Sequence, residues 1–284
     1  IAGAVTLVAR RGRQAHIRAY GMADREAGTP MRPDNIFRIA SMTKPITSVA
    51  VLMLYEEGHF KLNDPIGQYL PALASLDVLT ASDDGDTFMR VPAERPVTIR
   101  HLLTHTSGIG YRFLGDLGGT PRLRALAELY GEAGVADGLA EHDGTIEELV
   151  NRLGDLPLLH EPGAAFSYGL SDDVLGRLVE VVSGTTFDEF LRTRLFEPLG
   201  MDDTFFYIPN AKASRLASVY TPSASGIAKV DGTVEGTHLV YSSTYSTGSQ
   251  RRNFSGGAGL SSTAHDYSRF LQMLLNGGTL DRAR

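Results

Sequence analysis

The chain has 284 residues, 42% hydrophobic and 21% charged, with 31 Gly, 13 Pro and no cysteine, a globular composition that excludes a disordered or fibrous protein. The absence of cysteine removes disulfides, thiolate nucleophiles and Cys-ligated metals while leaving the compartment open, with the cytoplasm ahead of periplasm or secretion. With 27 basic against 33 acidic residues the net charge is −6, and no basic run exceeds a pair such as Arg251-Arg252, so nucleic acid is not an expected partner.

No apolar stretch approaches the roughly 18 residues of a membrane span; Ile46 to Tyr55 comes nearest. The chain opens at Ile1 within a predicted strand. Ala4–Arg10 and Gln14–Tyr20, separated by Arg11-Gly12-Arg13, predict a β-hairpin. Next, Ser41 to Gly58 carries Ile46, Val49, Ala50, Met53 and Leu54 on the helical repeat, and Val51, Leu52 and Tyr55 fill the other side, which predicts a helix buried on most of its circumference. Pro45 then belongs in its first turn, placing Ser41 at or next to the helix N-terminus.

Further helices are announced by their caps. Thr145-Ile146-Glu147-Glu148 and Thr186-Phe187-Asp188-Glu189 fit the capping box, and Thr263-Ala264-His265-Asp266 fits its acidic variant. Ser171 to Val182 predicts a helix stopped at Ser183-Gly184, and Gly277-Gly278 ends the one that begins near Ala264. Gly110 to Gly144, with one helical pattern from Pro121 to Tyr130, and Ser218 to Gly259 read as irregular, as lids and binding loops do. A single hairpin is marginal in water, so more strands are expected than the chain displays.

Ser41-Met42-Thr43-Lys44 is a Ser-x-x-Lys whose spacing puts hydroxyl and ammonium on one helix face. The spacing alone is unspecific, since chance supplies roughly 0.3 such motifs in a chain of this composition. Its setting is more informative. The serine sits where helix N–H groups can hold a developing oxyanion, and a lysine at the head of a buried helix is a good proton partner. The plain alternative is a helix-capping serine followed by a solvated lysine.

Other signals are weaker. No Gly-x-Ser-x-Gly occurs, so a nucleophile elbow is unsupported. His101 and His105 have the spacing of a metal pair but no Glu between them, and no metal is expected. Asp83-Asp84 and Asp172-Asp173 read as solvated turn or helix-start residues.

The stretches Phe37–Lys44, Leu62–Ile66, His101–Gly108, Pro162–Tyr168, Leu175–Glu180, Phe196–Thr204 and Gly256–Thr263 together resemble, in order, the class C β-lactamase-like serine hydrolases, and most of all the family VIII carboxylesterases. The resemblance spans nearly the whole chain outside the two irregular segments. It implies an α/β fold with an antiparallel sheet flanked by helices and an all-helical region, in one catalytic domain. In that division residues 1–60 and 254–284 lie on the sheet side, and residues 61–253 form the helical region, with irregular insertions at about 110–144 and 218–253. It also implies that Ser41 is acylated, that Lys44 and Tyr168 manage its proton, that the Ser41 backbone N–H helps hold the oxyanion, and that Leu170 and Ala258 contact substrate. A phenol beside an ammonium is suited to such base chemistry, and which of two coupled groups is formally the base is left open.

Two departures shape the expected function. Where lactamases have Tyr-x-Asn, Tyr168-Gly169-Leu170 offers no amide, which favours esters with apolar groups over acylamino substrates. The family's third motif, Lys-Thr-Gly, His-x-Gly or Trp-x-Gly on a late strand, is missing; His142-Asp143-Gly144 comes too early and in a loop. The expectation is a C-terminally truncated chain, shorter at the N-terminus as well, with reduced activity for want of one oxyanion donor. The function so implied is hydrolysis of small-molecule esters without a cofactor. A β-lactamase, a D-amino-acid peptidase and an acyltransferase are the enzymatic alternatives, and a non-catalytic ligand-binding relative is the alternative of another class. Oligomeric state is left undetermined.

Overall fold

Arg11 and Gly12 both adopt positive φ, 53° and 70°, the backbone a two-residue hairpin turn needs to match the twist of its strands. They join β1 (Gly3–Arg10) to β2 (Arg13–Asp24), antiparallel with Leu7 opposite Ile17 and an irregularity at Val8/Ala9. The computed structural model describes residues 1–82, 87–140, 144–224, 226–234, 240–248 and 252–279. Asp83-Asp84, His142-Asp143 and Arg251 lie outside them.

β3 (Thr29–Pro30) extends the hairpin to a three-stranded sheet of order β1-β2-β3, and β4 (Phe37–Arg38) leads into the central helix α1 (Thr43–Glu56). Then come a hairpin of β5 (Asp77–Ala81) and β6 (Phe88–Pro92), and the helices α2 (Ile99–Leu103), α3 (Arg112–Asp116), α4 (Pro121–Glu132), α5 (Ile146–Gly154) and α6 (Ser171–Ser183). α7 (Phe187–Leu191) runs through a π-helical turn into α8 (Glu197–Leu199). The short strands β7 (Tyr220–Ser223), β8 (Gly226–Lys229), β9 (Thr233–Val234), β10 (Tyr241–Ser242) and β11 (Ser261–Ser262) precede α9 (Ala264–Leu275). The architecture is α/β, with antiparallel strands beside a helical body.

The core is built where α1 meets α6. Ile46, Ala50, Val51 and Leu54 from α1 and Val174, Leu175, Leu178 and Val179 from α6 are all buried, joined by Leu149, Val150 and Leu153 of α5 and by Phe187 and Phe270. Each large side chain so buried contributes about 1.5–3 kcal/mol. α9 packs against β1 and so ties the sheet to this body.

Three expectations are corrected. α1 is buried on less of its circumference than its pattern suggests: Leu52 and Tyr55 are exposed, while the faces toward α6 and the 256–260 segment are covered. The capping box at Thr186 does not form: its hydroxyl makes no cap hydrogen bond, and the Glu189 carboxylate that would complete the box pairs with Arg192 at 2.6 Å. At Thr263 only half of the box exists: its hydroxyl accepts from the Asp266 N–H, while Asp266 turns to Asp203 N–H and Thr204 Oγ1. The box at Thr145 and Glu148 is complete. The irregular segment after Gly110 contains α3 in addition to the helix at Pro121, and the β5–β6 hairpin was not legible as strands.

Candidate active site

Ser41 lies in a 3₁₀ turn, Ala40–Met42, that delivers the chain into α1. Ala40 holds φ at 44°, a left-handed conformation that costs a residue with a Cβ about 1–2 kcal/mol. Surrounding bonds clamp that bend: β11 pairs with β4, Ile39 N–H donates to Leu260 O at 2.9 Å, Leu260 N–H to Thr43 Oγ1 at 3.2 Å, and Tyr267 Oη to Met42 O at 3.0 Å. The bend leaves Ser41 exposed and carries Lys44 into the interior, where it is 8% exposed.

A lysine ammonium has three protons. Lys44 Nζ gives them to Gly257 O at 2.8 Å, Tyr111 Oη at 3.0 Å and Ser41 Oγ at 3.3 Å, beneath the ring of Tyr168 at 4.6 Å and beside that of Tyr111 at 5.3 Å. Tyr168 Oη donates to the same Ser41 oxygen at 2.6 Å. The three residues singled out from the sequence therefore converge on one hydroxyl, across 127 residues of chain.

Tyr168 is delivered by an extended segment laid across 105–110. Ser167 N–H donates to His105 O at 2.7 Å and Leu170 N–H to Gly110 O at 3.3 Å. Gly169 is required there, because a Cβ would lie 2.1 Å from Ile109 O. His105, itself at φ 53°, packs its ring 5.1 Å from that of Tyr168 and places Nε2 3.2 Å from Asp172 Oδ2. His101 serves elsewhere, its Nδ1 accepting from the Thr98 N–H in the cap of α2, so the two histidines do not share a ligand position.

Beneath the lysine is an acidic floor. Asp172 and Asp173 do start α6, yet they are buried, not solvated, because the 255–258 turn closes over them. Asp173 Oδ1 accepts from Ser255 Oγ at 2.6 Å and Gly257 N–H at 3.3 Å. Burial pushes its carboxyl up to about 6, and burial likewise pushes Asp137 up to about 6 although it accepts from the Arg112 N–H at 3.1 Å. Burial, reinforced by Asp173, holds the Tyr111 hydroxyl well above its ordinary value, so it meets Lys44 as a neutral acceptor.

The structure places the expected substrate contacts Leu170 and Ala258 among the buried residues. Leu170 is fully buried in the apolar core and Ala258 is 3% exposed, its N–H donating to Ser255 Oγ at 3.1 Å. Both side chains support the walls of the site and offer no open surface to a ligand. Conversely, Tyr111, Gly257 and Asp173 were not singled out. Tyr111 stands in a segment without periodicity, and nothing local marks a carbonyl or a helix-start aspartate as a partner of a lysine far along the chain.

The Beta-lactamase family model matches residues 1–284, and the chain belongs to this family. It is 37% identical over 286 residues to Protein Rv1367c of Mycobacterium tuberculosis (strain ATCC 25618 / H37Rv), covering 100% of this chain and 65% of that protein. It is 39% identical over 220 residues to esterase EstB of Burkholderia gladioli, covering 78% of this chain and 50% of the esterase. Among solved structures, that titled "EstCE1, a hydrolase with promiscuous acyltransferase activity" superposes with a TM-score of 0.81 at 29% identity, covering 100% of this chain and 70% of that one. The chain thus spans about half to two thirds of the length of these curated relatives. Their kinship bears out the resemblance to β-lactamase-like serine hydrolases of the family VIII esterase type, and the α/β fold expected with it. Among the described residues no helix is long and apolar enough to cross a membrane.

Proposed function

We propose that the protein is a serine hydrolase that cleaves small-molecule carboxylic esters through an acyl-enzyme on Ser41. The observation that carries this reading is the convergence of Tyr168 Oη at 2.6 Å and Lys44 Nζ at 3.3 Å on the exposed Ser41 Oγ. The Tyr168–Lys44 pair takes the Ser41 proton as Oγ bonds to the ester carbonyl carbon, and the carbonyl oxygen becomes the oxyanion, with the Ser41 backbone N–H as one donor. The bond to the alcohol oxygen then breaks, and that oxygen leaves with the proton the pair had taken. Water, deprotonated by the same pair, attacks the acyl carbon, and Ser41 recovers its proton as the acid departs. Each proton transfer uses groups within hydrogen-bond reach of Ser41 Oγ, the geometry such catalysis needs.

The esterase EstB relationship supports an ester over a lactam. A second reading, transfer of the acyl group to an alcohol in place of water, is favoured by the likeness to EstCE1, a hydrolase with promiscuous acyltransferase activity.

The test is intact-mass labelling with a fluorophosphonate, followed by turnover of p-nitrophenyl esters, a cephalosporin and a D-aminoacyl amide. Expected is a single adduct, absent in Ser41→Ala, slowed about 10²–10⁴-fold in Tyr168→Phe, with esters turned over ahead of the other two. A protein that stays unlabelled, or that is labelled equally in Ser41→Ala, overturns the reading.

A further inference from the structure

Lys44 poses an electrostatic problem that its own contacts do not solve. The ammonium is buried, and the three oxygens it touches, Ser41 Oγ, Tyr111 Oη and Gly257 O, are all neutral. A buried charge with only neutral partners is costly unless an opposite charge stands near it. The chain supplies one behind the lysine. Asp173, 0% exposed, is the carboxylate on which the Lys44 charge acts, and it grips the turn that carries the Gly257 carbonyl. Its Oδ1 accepts from Ser255 Oγ and Gly257 N–H, and Ser255 Oγ in turn accepts from the Ala258 N–H at 3.1 Å. Its Oδ2 has no hydrogen-bond partner among the described residues. A Cβ on Gly257 would stand 2.6 Å from that oxygen and 2.8 Å from Tyr111 Oη, so carboxylate, phenol and the lysine-binding glycine are packed around one point.

We infer that Asp173 is a positioning residue for the reaction: it fixes, through Ser255 and Gly257, the carbonyl that holds Lys44, and it is the buried counter-charge that sets how readily the Lys44–Tyr168 pair gives up a proton. This rests on the proposed acyl-enzyme reading of the site. The function of the charge follows from its sign. The pair can accept the Ser41 proton only after losing one of its own, and a neighbouring anion opposes that loss.

The groups facing Asp173 from each packed element are few. Lys44 faces it from α1, Tyr111 and Asp137 from the 110–137 segment, and Asp172 precedes it on α6 beside His105, while the 255–258 turn brings only neutral donors. The Lys44 charge holds the Asp173 carboxyl down, while burial and Asp172 push it up. The carboxyl, pushed up to about 6 by burial, gains its charge as the pH rises through that region and acts on the pair above it.

The experiment follows the second-order rate constant for fluorophosphonate labelling of Ser41 from about pH 5 to 9, in the parent protein, Asp173→Asn and Ser255→Ala, with melting curves to verify folding. Asp173→Asn keeps an oxygen acceptor and removes the charge, so the acid limb is expected to move to lower pH by about one unit. Ser255→Ala loosens the turn and also removes the hydrogen bond that most lowers the Asp173 carboxyl, so the plateau is expected to fall about 3–30-fold and the limb to move in the same direction as in Asp173→Asn, by less. Should Asp173→Asn not fold, Asp173→Ser carries the same expectation. A limb that does not move, or moves upward, in whichever of the two folds overturns the counter-charge and leaves a structural aspartate. A parent protein unlabelled at every pH overturns instead the acyl-enzyme reading on which this one rests.

Discussion

The Lys44 ammonium sits closer to the Tyr111 hydroxyl, at 3.0 Å, than to the Ser41 hydroxyl, at 3.3 Å. Two tyrosines therefore frame one lysine: Tyr168 shares Ser41 with it, and Tyr111 holds it from a buried site, with their rings 5.3 Å apart. Tyr111→Phe keeps the ring beside the ammonium and deletes one of its three acceptors. A charged donor left one acceptor short loses about 1.5 kcal/mol, so labelling of Ser41 is expected to slow about tenfold and the melting temperature to fall by a few degrees. A rate equal to that of the parent protein excludes Tyr111 from holding the lysine.

Gly169 is the reason Tyr168 can reach Ser41. The carbonyl of Ile109 occupies the place a Cβ would take, and backbone cannot swing aside as a side-chain tip can. Gly169→Ala is expected to cost about 1–3 kcal/mol in thermal or denaturant unfolding and to slow Ser41 labelling more than that loss of folded protein explains, because the 167–170 segment must lift. Full labelling in the folded variant contradicts this account.

Leu170 acts through packing. Being fully buried, Leu170→Ala removes core volume and is expected to destabilise the protein by about 2–5 kcal/mol, while the ratio of rates on short and long p-nitrophenyl esters stays the same. A changed chain-length preference at near-normal stability restores it as a substrate contact.

Asp137 gives a pH prediction with a definite sign. Its carboxyl is raised from 3.8 to about 6, chiefly by burial, so between those values the folded state holds a proton that the unfolded chain has released. Its contribution therefore favours folding at low pH and is lost as pH rises from about 4 to 6, remaining unfavourable above. Asp137→Asn retains an oxygen for the Arg112 N–H and removes the penalty. It is expected to be more stable than the parent by about 1–3 kcal/mol near neutrality, with the gain vanishing near pH 4. Melting curves of both proteins at the two pH values decide it.

Much of the fold is legible locally. Arg11-Gly12 sets a two-residue turn, Pro45 and Gly58 bracket α1, Thr145 with Glu148 starts α5, and Gly184 in the left-handed conformation stops α6. These signals work because caps and turns are satisfied within a few residues of chain. Errors arose where another group took a side chain that the cap needed. Arg192 drew Glu189 away from the cap at Thr186, and Asp203 and Thr204 drew Asp266 away from its own cap.

The same division holds at the site. The sequence by itself determined that a serine and a lysine share a face at a helix start, and its ordered motifs brought in Tyr168. Only the tertiary structure decided what surrounds them: Tyr111 and Gly257 on the lysine, and Asp172 and Asp173 buried where a helix start reads as solvated. It also drew Leu170 and Ala258 into the walls. Hydrogen bonds over three or four residues are written in local spacing, whereas burial is set by whichever segment closes over a residue. Here the closing segment is the 255–258 turn, more than 80 residues beyond the aspartates it covers.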